Sequence, residues 1–210
     1  MPSRDETNEE LREINLSLRA KRGSIEIRCC YGRGQRRENM IRLRQYKPSD
    51  AKTIISWCKT EIDFRKWTSD RYDKFPITSE DMNKKYLENN GDCSEPDNFY
   101  PFTAVDDEKI VGHLVMRYVD EEKSVIRFGF VIVDDSKRGK SYGKQMIQLA
   151  LKYAFEIYKA KKVTLGVFEN NLQAYHCYKA AGFVEQPEKN FEVEIFGEKW
   201  KILQMEATEK

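Results

Sequence analysis

The chain has 210 residues, 40% hydrophobic and 34% charged, with 37 Lys+Arg against 35 Asp+Glu. That length and apolar content suit one globular domain with a good core and exclude a disordered or membrane-embedded class. No apolar run approaches a membrane span and no signal-like segment opens the chain, so a cytoplasmic location with no membrane partner is expected.

Residues 1–39 differ from the remainder of the chain. They are polar and Arg-rich, with 9 basic and 7 acidic residues, which leaves 28 of each sign in the body, residues 40–210. The body is neutral, and no nucleic-acid partner is expected. The N-terminal segment shows no sustained hydrophobic period and reads as disordered. For a bacterial source it also reads as a misassigned upstream extension: Arg36-Arg37 stands just before Met40 and can be encoded as AGG-AGA, which ahead of an ATG resembles a ribosome-binding sequence.

From Met40 the elements run in order. Residues 40–46 alternate apolar and polar, the mark of a half-buried strand. Ser49 is placed to cap a helix whose face is Ile54, Ile55 and Cys58. Phe64, Trp67, Tyr72 and Phe75 mark an aromatic, partly irregular connection, more core than lid by composition. Thr78 and Asp81 predict a second helix start with Met82 and Tyr86 buried. Three strands over residues 100–105, 110–119 and 124–133, joined by short acidic turns, predict an antiparallel meander. A helix comes next, with Met146, Leu149, Ala150, Tyr153 and Ile157 on one face and Ile147, Leu151 and Ala154 widening it. Residues 163–168 predict a strand parallel to 124–133 by a right-handed crossover. Asn170-Asn171 opens a short helix that Gly182 ends. A hairpin over residues 191–207 closes the chain.

Five cysteines, at 29, 30, 58, 93 and 177, form no C-x-x-C pair, and only two histidines exist, so no metal is expected. Cys58 and Cys177 read as core packing. Arg138-Gly139-Lys140-Ser141-Tyr142-Gly143 lies between an apolar run and a helix. Such a loop aims main-chain N–H groups and the positive end of a helix dipole at one anion. A P-loop would need glycine where Asp134 stands, and no G-x-G-x-x-G occurs.

These six residues resemble the [Q/R]-x-x-G-x-[G/A] pyrophosphate loop of the GNAT superfamily of acetyl-CoA-dependent N-acetyltransferases. Val167, Asn171, Ala174, Tyr178 and Gly182-Phe183 resemble that family's second motif in order and spacing. The resemblance makes residues 40–210 an N-acetyltransferase-like domain and leaves out residues 1–39. It implies a single α/β domain of the acyl-CoA N-acyltransferase fold. Its mixed, mostly antiparallel sheet would hold a splayed parallel central strand pair flanked by helices. It implies acetyl-CoA as co-substrate and an amine acceptor, a small molecule or a peptide N-terminus, and leaves room for a homodimer. Donor-binding residues carried over are Val131, Ile132 and Val133, the loop Arg138, Gly139, Lys140, Ser141, Tyr142, Gly143 and Lys144, and Asn171. The freed main-chain groups of Val131 and Val133 would pair with the pantetheine amides.

Tyr178 matches the family's general acid, with Asn171 as its companion site residue. A phenol of pKa about 10 protonates a thiolate with conjugate acid near about 8.5 with little driving force, so positioning matters. Packing is the plainer role of Tyr178, and N-capping that of Asn171. Ser141 departs from the loop's middle glycine and Asp135 from a common proline. Arg127 stands near the usual glutamate base, which leaves the base unassigned, with Glu169 or a water chain as candidates. Arg127 reads as a solvated strand charge; facing the cleft, it would favour a carboxylate-bearing acceptor. The other reading of the same fold is a non-catalytic acyl-CoA-binding regulatory module.

Overall fold

The computed structural model describes residues 41–137 and 139–209. The extension expected over residues 1–39 and the contact expected of Arg138 lie outside them. Alternation produces the first strand, β1 (Arg42–Gln45), with Leu43 buried. The turn after it is tied by Asp50, not by Ser49. The Asp50 carboxylate, on a residue 2% exposed, accepts from both Arg44 terminal nitrogens at 2.6 and 2.8 Å, the Lys47 N–H at 2.9 Å and the Thr103 hydroxyl at 2.8 Å. A carboxylate can satisfy all these donors at once, which a serine hydroxyl cannot.

Helix α1 (Ala51–Ile55) buries Ala51 and Ile54. The connection expected to be irregular contains helix α2 (Glu61–Thr68), started by the Thr60 hydroxyl accepting from the Asp63 N–H at 3.1 Å. Its aromatics Phe64 and Trp67 recur at helical spacing and are buried. Helix α3 (Ser79–Asn83) has the expected reciprocal cap: Thr78 Oγ1 takes the Asp81 N–H, and Asp81 takes the Thr78 N–H. A wider π turn, Lys84–Glu88, continues it and buries Tyr86.

The meander is β2 (Tyr100–Asp106), β3 (Lys109–Tyr118) and β4 (Val125–Val133), all antiparallel. Helix α4 (Tyr142–Lys152) comes next and widens into a π turn over Tyr153–Ile157. That turn shifts the helical phase, so Ile157 is exposed rather than on the buried face. Strand β5 (Lys162–Phe168) returns parallel to β4, and helix α5 (Leu172–Ala181) ends at Gly182, φ 113°. Strands β6 (Val184–Glu185), β7 (Phe191–Ile195) and β8 (Glu198–Thr208) complete one sheet in the order β1-β2-β3-β4-β5-β8-β6, with β7 on β8.

Period-two alternation, with a switch of face at Phe130 where the backbone is left-handed, divides the sheet's side chains between two layers. Ile126, Phe128, Leu165 and Met205 pack against Met146, Ile147 and Ala150 of α4. Val115 and Phe130 pack on the other face with Ile54, Phe64, Trp67 and Met82 from α1, α2 and α3. The domain is thus the mixed α/β architecture expected, with helices on both faces.

Candidate functional site

Strands β4 and β5 pair only at Val125↔Lys162, Ile126↔Val163 and Arg127↔Thr164. Beyond those pairs they part. The parting has a cause on the other edge of β4. There the register with β3 shifts between His113 and Val115, and Phe130 takes a left-handed backbone, φ 49°. Such a bulge bends its strand and adds twist. The indole N–H of Trp67 donates to the Phe130 carbonyl at 2.8 Å and fixes the bulge from α2. Past the bulge the Asp134 N–H donates to Val111 O at 3.0 Å, toward β3. Alternation along a strand then turns the N–H and C=O of Val133 and Val131 toward the gap, while Ile132 faces β3.

The chain leaves β4 through the short turn Asp135–Lys137 into the glycine-containing loop. Gly139 has φ 77° with open space where a Cβ would stand, and Ser141 has φ 58° and no side-chain cap bond. Helix α4 begins at the next residue, so the N–H groups of its first turn have no partner within the helix. The Tyr142 ring is buried and its hydroxyl donates to Asp106, so toward the cleft this residue offers main-chain groups only. Gly143 stands against α5: a Cβ there would meet Cys177 Sγ at 3.0 Å. Lys144 lines the cleft, whereas Lys140 is exposed and lies off its lining.

On α5, Asn171 caps the helix, its Oδ1 accepting from the Ala174 N–H at 3.3 Å. It also lines the cleft, so the two expected roles coincide in place. Tyr178 is buried and packs beside Phe183 with ring centres 6.2 Å apart. Burial, and then the neighbouring Cys177, push its phenol well above the ordinary value. Val131, Ile132, Val133, Gly139 and Ser141 share with Tyr178 and Asn171 one cleft of about 1000 Å³.

The same cleft opens on the opposite face of the sheet. There Arg127 is not the solvated charge its sequence position suggests. Its Nη1 donates to Gln204 Oε1 at 3.0 Å, and its Nη2 lies 2.9 Å from where a Cβ on Gly166 would stand. Burial, followed by Arg117 and Arg71, pushes its pKa down to about 10. Glu169 lies off the cleft lining and holds Lys201 at 3.5 Å, so it is not placed as the base. His113 is fully buried beside the Tyr86 hydroxyl at 3.0 Å, and burial pushes its pKa down to about 3, which keeps it neutral. Burial raises Cys58 to about 12, and Cys177 is also raised, so neither is a ready thiolate.

Among the described residues no group of three or more His, Cys, Asp or Glu is placed to hold a metal. Nor is any of their helices long and apolar enough to cross a membrane. Sequence reasoning missed Arg71 and Gly166 as parts of the site, and it singled out Trp67 only within an aromatic connection read as more core than lid. Gly166 carried a usable signal, because a glycine inside a strand marks a close approach. Nothing in the sequence tied Trp67 to a carbonyl 63 positions away.

The sequence model of the Acetyltransferase (GNAT) family matches residues 61–183. The spermine/spermidine N(1)-acetyltransferase of Bacillus subtilis (strain 168) is 33% identical over 73 residues, 35% of this chain and 45% of that protein. The chain therefore aligns with under half the length of that relative. The spermidine N(1)-acetyltransferase of Vibrio cholerae serotype O1 is 24% identical over 149 residues, 70% of this chain and 81% of that one. A crystal structure of spermidine N-acetyltransferase from Vibrio cholerae in complex with CoA and spermine has a TM-score of 0.66. Identity there is 21%, and the match covers 80% of this chain and 95% of that one. That likeness establishes the shared fold. The parted parallel pair, the loop entering α4 and a family match over more than half of the chain agree, and the protein belongs to the acetyltransferase (GNAT) family.

Proposed function

We propose that the protein transfers an acetyl group from acetyl-CoA to an amine. One observation carries this reading: a single cleft joins the loop before α4, the free edge of β4 past its bulge, and Tyr178. The loop and the first turn of α4 suit a diphosphate held by main-chain N–H groups and the helix dipole without a metal. The N–H and C=O groups of Val131 and Val133 suit the two amides of a pantetheine arm lying in the gap as an extra strand.

The arm would bring its thioester toward the narrow end of the gap. A neutral amine attacks the carbonyl carbon, and a main-chain N–H near Val131 steadies the oxyanion. The C–S bond then breaks, the sulfur leaves as thiolate, and the Tyr178 phenol supplies its proton. The amide nitrogen gives up its extra proton to water, and the Tyr178 phenolate takes a proton back from water before the next turnover. Burial raises the Tyr178 pKa, which weakens it as an acid, but the same dry surroundings raise the proton affinity of the thiolate. Spermidine and spermine, named for the relatives, are the reference acceptors, and the cytoplasm is the proposed compartment.

Calorimetry with acetyl-CoA and a thiol-release assay test the reading together. Acetyl-CoA is expected to bind at sub-millimolar concentration. Tyr178→Phe is expected to lower turnover by about 10²- to 10⁴-fold with the donor Kd unchanged. Absence of binding at millimolar donor would sink the reading. Donor binding with no turnover on any amine would make the chain an acyl-CoA-binding module instead.

A further inference from the structure

Arg71 and Arg127 line the cleft, and a third arginine, Arg117, stands beside Arg127 on the neighbouring strand. Arg117 and Arg127 are direct cross-strand partners on β3 and β4. Arg71 comes from the turn after α2, its guanidinium 5.7 Å from the Phe130 ring. Like charges placed directly opposite each other oppose folding. The repulsion registers in the titration of the cluster: after desolvation, Arg117 is the next cause lowering both Arg71 and Arg127.

Among the described residues none of the three forms an ion pair. The carboxylate with the most effect on Arg71 is Asp92, which ranks after the Cys93 thiol, and Lys85 already holds it. The other acids around the cleft are also engaged. Asp135 pairs with Lys59 at 3.0 Å, Asp134 accepts from the Ser136 N–H at 2.9 Å, and Asp63 takes the Thr60 hydroxyl at 2.7 Å. On β8, Glu206 is shared by Lys162 and Lys189. Beside Arg127 the Gln204 Nε2 is buried without a hydrogen-bond partner. Gly166 keeps the floor clear for both groups: a Cβ there would stand 2.9 Å from Arg127 Nη2 and 3.0 Å from Gln204 Nε2.

Uncompensated guanidiniums lining the cleft, one of them braced from behind by Gln204, form a seat for an anion. The planar fork of arginine matches a carboxylate with two parallel hydrogen bonds. A polycation arriving at the same spot meets repulsion. We propose that the acceptor is an amine that also carries a carboxylate, seated by Arg127 with Arg71 at the closed end of the gap between β4 and β5. This rests on the acetyl transfer proposed above. It separates the chain from the spermidine- and spermine-named relatives by the charge of the acceptor.

Matched pairs that differ by one carboxylate test it: lysine against cadaverine, and ornithine against putrescine, at saturating acetyl-CoA, with spermidine as reference. Thiol release is expected to give kcat/KM at least roughly tenfold higher for each amino acid than for its diamine. Arg127→Gln is expected to bring that ratio to about one with acetyl-CoA affinity retained. Arg71→Gln, at an exposed residue, is expected to lower the ratio partway and serves if Arg127→Gln fails to fold. Diamines or spermidine turned over as well as the amino acids, or a ratio unmoved by both variants, would overturn the proposal. So would a preference confined to O-phosphoethanolamine over ethanolamine, which would assign the seat to phosphate. If no amine is turned over although acetyl-CoA binds, the transfer reading is the one that fails. Calorimetry of lysine and cadaverine on the CoA-saturated protein then decides the acceptor charge by itself: tighter lysine binding supports it and equal binding overturns it.

Discussion

Ser141 holds a left-handed backbone at the corner where the loop enters α4, φ 58°. A residue with a Cβ is strained there by about 1 kcal/mol relative to glycine, and no side-chain bond to the helix repays it. Ser141→Gly is expected to raise stability by about that amount in urea titration, less a few tenths for the looser unfolded chain. If donor affinity also falls, the hydroxyl is a phosphate contact. Tyr178 sets a second expectation. Its phenol is raised by burial, so it stays protonated throughout ordinary assay conditions. The rate should therefore climb with pH as the acceptor amine loses its proton, with no falling limb from Tyr178 below about pH 10. A descending limb near neutrality that disappears in Tyr178→Phe would contradict this.

At this scale the sequence exposed what depends on short offsets: the Asn171 to Tyr178 spacing, and the turn-glycine pattern at Gly139 and Gly182. The state of Arg127 was hidden, because it is decided by Arg117, Gln204 and Gly166, which come from three other strands.

Among the elements, the bulge in β4 organises the most. It frees Val131 and Val133 from β5, and it survives because Trp67 of α2 satisfies the Phe130 carbonyl. Trp67→Phe keeps an aromatic in the layer but orphans that buried acceptor, at a cost of about 1–3 kcal/mol. Donor KM is expected to rise alongside the stability loss, because the bulge aims the edge that would hold the pantetheine. A Tm drop with donor KM unchanged would show that the bulge keeps its aim without the indole. The meander, both helices flanking the crossover and the closing hairpin were legible, because their periods and turns are local. Helix α2 was not: its aromatic content suggested irregularity, while Thr60 and Asp63 supplied a cap in plain view. The bulge was invisible, since a register shift belongs to a pair of strands and not to either one.

Across the whole molecule, Asp50 is a main tie between the first strand and the rest. Burial pushes its carboxyl up, but the hydrogen bonds from Arg44, Lys47 and Thr103 outweigh this and leave its pKa below the ordinary value. The folded pKa lies under the unfolded one, near about 4. The stability it contributes is therefore fully present above about pH 4 and is lost as pH falls through the folded value. Asp50→Asn is expected to cost about 3 kcal/mol at pH 7, measured by denaturant titration, because the partly buried Arg44 keeps its charge without a counter-ion. That difference should shrink at pH 3; an equal difference at both pH values would count against the assignment. The short pairing of β4 with β5 has a further consequence at this scale. Three register pairs, with the Lys161 and Lys162 N–H groups donating to the Ser124 carbonyl, form the main-chain seam between the plate of β1 to β4 and the plate of β5 to β8. A strand-like guest in the gap would stitch the two plates together, so occupancy and cooperativity of unfolding should rise together. Amide exchange at Val131 and Val133 should slow on adding acetyl-CoA, and the unfolding transition should steepen once the stitch is in place.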